Sequence, residues 1–289
     1  MILVRVAGTT VGVSASDSTR VSVREGAADF VVSSGTPEVR LVAGVGPGEG
    51  HSAGELLFDA FPTWQLFGDD AGCTYRFLGA GGERAYREAS FDRTFSRCRV
   101  SYLKEAESPP EVIYPFEAPV DQLLIMNVLS SQGGALLHAL GVATAEGDGL
   151  VFVGNSGDGK STMARVWDSV PGAEVLNDDR IALRHEGGRF RIYGTPWHGE
   201  FEKVSSRDLP LRAVFVLRKA RSCRVTPVGG AAAVAALVAR SFVPYHDREA
   251  IGRVAALFGR LAAEVPVYDF EFTPDLAAVE AARSAVAND

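Results

Sequence analysis

The run Gly154-Asn155-Ser156-Gly157-Asp158-Gly159-Lys160-Ser161-Thr162, "GNSGDGKST", spaces its glycines, lysine and hydroxyl as G-x-x-x-x-G-K-[ST]. Those types in that order suit a polyphosphate. Backbone N–H groups of a glycine-rich turn converge on the anion, Lys160 reaches the β- and γ-phosphates, and the Ser161 hydroxyl ligates Mg²⁺. All nine residues are therefore expected at a nucleotide. Asp158 is the odd member. Because backbone amides make the cradle, its side chain is expected to point away from the anion, at some electrostatic cost within a Debye length.

Eighteen positions after Lys160, "EVLNDDRIAL" brings in Asp178 and Asp179. Met163, Val166, Trp167 and Val170 lie between, at i, i+3, i+4 and i+7, which gives a helix one apolar face. Pro171-Gly172 then turns the chain sharply, and a crossover of about a dozen residues lets a parallel strand return beside the first. Both carboxylates are expected at that strand's carboxyl end, where open α/β sheets bind ligands. One would hold Mg²⁺ and the other would accept a proton from an attacking hydroxyl. Asn177-Asp178-Asp179 also reads as a solvated turn. Downstream, "YGTPWHGEFEKVSS" (193–206) offers Trp197, His198 and Glu200. Glu200 is a candidate second metal contact, and the alternative is a proline-anchored loop packed by its own tryptophan. Arg218, Lys219, Arg221 and Arg224 would either neutralise transferring phosphate or form a solvated cluster, and Arg240 is a similar candidate.

The elements that must position these residues fall into two textures. Residues 1–110 alternate in short runs such as "ILVRV", "TRVSV", "DFVVS", "EVRLV" and "CTYRF", which predicts a β-rich domain of antiparallel strands. "AGVGPGEGHSAGE" (43–55) reads as a mobile surface loop. Prolines in "ESPPEVIYP" (107–115) suit a boundary, so a second domain is expected over 111–289. There "DQLLIMNVLSSQG" predicts a helix closed by Gly133, "ALLHALGVATA" a strand, and "GLVFV" a buried strand entering the quoted loop. Further on, "IALRHEGGRFRIY" predicts a hairpin turning at Gly187-Gly188, "LRAVFVLRK" a buried strand, and Ile251, Val254, Phe258, Leu261 and Val265 a packing helix.

In that order and spacing, "LLHALGV", "GNSGDGKST" and "NDDRIAL" resemble the catalytic domain of HPr kinase/phosphorylase, a serine protein kinase whose nucleotide fold is similar to that of phosphoenolpyruvate carboxykinase. The resemblance spans roughly 112–289 and is strongest over 134–200. It implies an α/β P-loop domain of the HPr kinase C-terminal type behind the β-rich domain, and makes a homo-oligomer plausible. It further implies that Asp178 activates a substrate serine, that Asp179 supports the metal, and that His138 acts near the phosphates. Read from the sequence alone, a histidine on an apolar strand such as His138 is more often a satisfied core histidine. The family's downstream glycine-rich stretch with its glutamate and arginine is not recognisable, and "YGTPWHGEFEKVSS" stands in its place. The chain thus resembles a divergent branch, some of whose members resemble peptide-tailoring kinases.

Composition narrows the partners. A net charge of −7 disfavours nucleic acid and anionic membranes. The opening "MILVRVAGTT" lacks a signal-peptide pattern, and a cytoplasmic location is expected. Cys73, Cys98 and Cys223 have no C-x-x-C spacing and are expected as free thiols. The expected activity is an ATP- and Mg²⁺-dependent kinase acting on a hydroxyl, most simply the serine of a peptide or small protein. A small-molecule kinase and a nucleotide-gated binding protein without catalysis are the alternatives. An ABC-type ATPase would need an L-S-G-G-Q-like helix start, which the sequence lacks.

Overall fold

The computed structural model describes residues 1–16, 18–46, 54–82, 84–103 and 111–287. Contacts divide the chain into two units, Met1–Val128 and Leu129–Asp289. The division falls inside helix α1 (Val120–Ser131), beyond the boundary expected at residue 111. Residues 104–110, which hold most of the proline-rich signal, lie outside the described residues.

The first unit is β-rich. Its main sheet takes β1 (Ile2–Val6), β2 (Thr9–Ala15), β4 (Val31–Val32), β5 (Val39–Gly46), β6 (Glu55–Ala60), β7 (Trp64–Gly68), β8 (Gly72–Leu78), β9 (Ala85–Asp92) and β10 (Arg97–Leu103). The spatial order is β4-β1-β2-β5-β10-β9-β8-β7-β6. The expected all-antiparallel pattern gives way at β5, which runs parallel to both β2 and β10. Period-2 alternation specifies which face a side chain takes and says nothing of a neighbour's direction. Two predicted strands shrink: β3 is only Arg20–Val21, paired with β11 (Val112–Ile113), and a 3-10 turn over Glu25–Phe30 precedes the two-residue β4. The loop expected over 43–55 is partly strand, since β5 runs to Gly46 and β6 starts at Glu55; residues 47–53 lie outside the described residues.

The second unit is mixed α/β, with one large sheet and few helices. Its strands are β12 (Gly134–Ala143), β13 (Gly149–Val153), β14 (Glu174–Asn177), β15 (Arg180–Glu186), β16 (Arg189–Tyr193), β17 (Asp208–Lys219), β18 (Arg224–Pro227), β19 (Ser241–Phe242) and β20 (Val267–Phe272). Its helices after α1 are α2 (Lys160–Asp168), α3 (Gly230–Val238), α4 (Arg248–Glu264) and α5 (Leu276–Ala287). β13, β17 and β20 are parallel neighbours, and every residue of β13 is buried. The hairpin turns at Gly187 and Gly188 with φ of 59° and 78°, which their lack of a Cβ permits.

One expectation about strand order changes. β14 does not return beside β13; it pairs with β12, antiparallel, and β13 pairs with β12 from the other side. The two strands still run in the same sense, so their carboxyl ends emerge at one edge with β12 between them. The α2 crossover therefore spans an intervening strand. Two apolar layers hold the sheet: α3 and α4 cover one face through Leu237, Val254 and Phe258, while α2 and α5 cover the other through Met163, Trp167 and Ala282.

Phe152 centres the second layer, stacking on Phe215 at 5.0 Å and meeting Trp167 at 5.9 Å. Truncation there removes ring contacts that no polar group can refill. Phe152→Ala is expected to lower stability by about 3–5 kcal/mol, read as an earlier urea transition of the second unit.

Candidate functional site

Three backbone segments meet at the shared edge, and one of them, β12, stitches the other two together. The His138 carbonyl accepts from Gly154 N–H at 3.2 Å, and Ala139 N–H donates to the Asp179 carbonyl at 3.0 Å. The start of the phosphate-type loop and the paired aspartates are thereby tied to consecutive residues of one strand.

The loop itself turns through Gly157 and Gly159, with φ of 87° and 103°. A Cβ on Gly159 would sit 2.8 Å from the Phe272 ring, so that position demands glycine on two counts. Asp158 bends back onto its own loop: Oδ2 accepts from Asn155 N–H at 2.7 Å, and Asp158 N–H donates to the Asn155 carbonyl at 3.2 Å. The acid is a brace for the turn.

Lys160 is buried at the first residue of α2. Its ammonium donates to the carbonyls of Gly154 (3.0 Å) and Asn155 (3.2 Å) and meets His138 Nε2 at 2.9 Å. Burial pushes the ammonium below the usual lysine range, and the charges of Asp179, Asp158 and Asp178 pull it part of the way back. The same His138 Nε2 lies 3.1 Å from Asp179 Oδ1. A neutral ring satisfies only one of these at a time: with Nε2 protonated it donates to Asp179, and in the other tautomer it accepts from Lys160. Burial alone would raise the Asp179 carboxyl; the hydrogen bond from His138 and the charges of Arg180, His138 and Lys160 outweigh it and hold the group below the usual carboxylate range.

Asp178 has a different environment. It is 1% exposed, and its two oxygens accept from the backbone N–H groups of Gly199 (2.7 Å) and Phe201 (3.0 Å). The structure thus groups His138, Lys160 and Asp179 directly, and binds Asp178 to the 197–201 loop. Glu200, at the crest of that loop, is exposed and makes no ion pair among the described residues. Trp197 is buried and His198 exposed, so the tryptophan packs the loop and offers no open platform. Ser161 and Thr162 open α2 and are half-buried; Ser156 is exposed. Arg218 pairs with Asp269 at 2.6 Å and Arg224 with Glu271 at 3.8 Å, which takes both into cross-strand pairs on β20.

One positioning residue, Asn177, escaped the sequence reading. Buried Asn177 accepts through Oδ1 from Asp179 and Arg180 N–H at 2.7 and 2.8 Å and donates to the Thr195 carbonyl at 3.0 Å. It fixes the turn that presents both aspartates, an Asx turn legible in the Asn-Asp-Asp run. Lys219 is exposed at the end of β17, with its Cε 3.2 Å from the position of a Gly159 Cβ. Only the parallel β13–β17 pairing brings it to the loop.

No protein-family model matches the chain, and a search of the curated proteins finds no match. No helix among the described residues is long and apolar enough to cross a membrane.

Two outcomes follow from these contacts. Asp158→Asn keeps an acceptor for Asn155 N–H while removing charge, and if the loop is a nucleotide site it should bind ATP at least as tightly as the wild type. Asp158→Ala loses the brace, worth about 1 kcal/mol, and should bind about fivefold more weakly than Asp158→Asn by titration calorimetry. For Asp179 the folded-state pKa lies below the unfolded value near ~3.9, so its stabilisation is present above that range and is lost as pH falls through the lowered value. Asp179→Asn should cost on the order of 1 kcal/mol at neutral pH, and the gap to wild type should close below about pH 4 in a urea series.

Proposed function

We propose that the chain is an ATP-dependent, Mg²⁺-requiring kinase that transfers the γ-phosphate to a hydroxyl, with the serine of a peptide or small protein as acceptor. The observation that supports it most is the buried Lys160 ammonium, held by loop carbonyls and facing His138 and Asp179 at the carboxyl edge of the sheet. The resemblance of residues 134–200 to HPr kinase points the same way.

Phosphoryl transfer asks mainly for positioning and charge neutralisation. The loop amides and Lys160 would hold the nucleotide phosphates. As a phosphate draws the ammonium away from Nε2, the His138 ring becomes free to donate to Asp179. Among the described residues no group of three His, Cys, Asp or Glu side chains could hold a metal alone. Mg²⁺ at such sites takes one or two protein oxygens and completes its shell with phosphate oxygens and water, and Ser161 with Asp179 fits that donor set. A metal would also ease the electrostatics, because three carboxylates already act on Lys160 and a triphosphate adds more negative charge. Bound there, Mg²⁺ would offset the charge of the β- and γ-phosphates.

The proton of the acceptor hydroxyl falls to Asp178. Asp179 is committed to positive neighbours that lower its proton affinity. Among the described residues Asp178 accepts hydrogen bonds from the Gly199 and Phe201 amides of the 197–201 loop, and an entering substrate could replace one of them. The 197–201 loop would then be part of the acceptor site.

The reading is tested by transfer of labelled γ-phosphate from ATP with Mg²⁺ to serine-containing peptides and to fractions of proteins and metabolites. Wild type should label an acceptor, and Asp178→Asn should retain ATP binding while losing about 10²–10⁴-fold in transfer. Tight ATP binding with no labelled acceptor would overturn the kinase in favour of a nucleotide-gated binding protein.

A further inference from the structure

The first unit has a charged concavity that phosphoryl transfer does not use. On β5 and β10, Arg40 and Arg97 are register partners, and Arg99 follows opposite Val42. Across the sheet Arg99 faces Ser90, Ser90 faces Thr74, and Thr74 faces Phe67. Period-2 alternation sends these residues to one face, while Val39, Leu41, Cys98 and Val100 are buried from the other. The result is a cavity of about 350 Å³ with guanidinium groups on one side and hydroxyls on its floor.

Charge accounting within the cavity favours an anion. Its two acids, Asp69 and Asp92, are already engaged. Asp69 accepts from Ala71 and Gly72 N–H at 2.7 and 3.1 Å. Asp92 accepts from Ser96 and Arg97 N–H at 2.8 and 3.1 Å and from the hydroxyls of Thr94 and Ser96. Both carboxylates thus brace their own turns. Arg40 and Arg97, by contrast, are exposed and have no carboxylate partner among the described residues. Neighbouring guanidiniums repel each other, and a shared oxyanion relieves that repulsion. Thr74 and Ser90 share one hydrogen bond at 2.9 Å, which uses one of their two hydroxyl protons and leaves the other to donate.

We propose that this cavity binds a small ligand through carboxylate or phosphate oxygens, with Arg40 and Arg97 as the principal charge contacts and the Thr74–Ser90 hydroxyl pair as a further donor. Guanidinium forks match both oxyanions in bidentate geometry, and the volume is at the small end for ligand sites, suited to a compact metabolite. The site belongs wholly to the first unit and stands whether or not the second unit transfers phosphate.

The test is calorimetric titration of the full chain at low salt with inorganic phosphate and, separately, with tricarballylate. Binding of phosphate alone assigns a phosphate ligand, binding of tricarballylate alone assigns a carboxylate ligand, and binding of both supports the shared oxyanion chemistry. Arg40→Gln/Arg97→Gln should weaken the bound probe at least tenfold. Arg40→Lys/Arg97→Lys, which keeps charge and loses the fork, should fall between, and Arg20→Gln, outside the cavity, should leave affinity unchanged. Absence of binding by both probes at millimolar concentration would overturn the proposal, as would a double glutamine variant that binds like wild type.

Discussion

A desolvated ammonium needs acceptors on every side, and Lys160 is the residue around which the second unit's functional edge is organised. Burial lowers its affinity for its proton, the charges of Asp179, Asp158 and Asp178 oppose that, and carbonyls and an imidazole meet the ammonium. Each of those groups comes from a different segment. Gly154 and Asn155 come from the turn after β13, His138 from β12, and Asp179 from the turn after β14. The cation therefore requires that the three segments end at one place, and the order of the strands meets that requirement.

That order explains the role of His138. β12 runs against both β13 and β14, so its residues near the edge stand between the two carboxyl ends. Consecutive backbone groups at 138 and 139 bond to the loop and to Asp179, and the imidazole then spans ammonium and carboxylate. An imidazole with one nitrogen facing both is a coupling element, since whatever pulls on Lys160 alters the hydrogen bond available to Asp179. The Asn177 side chain fixes the turn on the other side, so Asp178 and Asp179 point in different directions despite being adjacent.

Much of this was legible in the sequence, for identifiable reasons. The loop, its strand and its helix were readable because glycine, a buried apolar run and a 3.6-residue period are local signals. The hairpin at Gly187-Gly188 and the helix over Arg248–Glu264 were readable on the same grounds. The direction of β5 and the insertion of β12 between β13 and β14 were not, because alternation encodes faces and leaves neighbours open. Asp158 was expected to stand aside from the anion; its bond to Asn155 N–H depends on the curl of the turn, which no residue pattern specifies. Different roles were expected for the two aspartates, but the hydrogen bonds that separate them, His138 on Asp179 and the Gly199 and Phe201 amides on Asp178, come from distant segments that local pattern does not place.

The difference between the aspartates also bears on how the site could work. Asp179 lies among cations that hold its carboxyl below the usual range, whereas Asp178 is bonded by two loop amides and sheltered from water. Shelter and access are opposed requirements. The 197–201 loop reconciles them, since its Trp197 is anchored in the interior while His198, Gly199 and Glu200 are exposed. Gly199 fits because a Cβ there would lie 3.1 Å from both Asp178 oxygens, tight enough to disturb the bond that closes the loop. A backbone N–H that bonds the carboxylate in one state and yields it to a hydroxyl in another would make access to the base depend on the acceptor itself. On the kinase reading, an acceptor that binds strongly enough to displace the loop would compete better than water for the γ-phosphate.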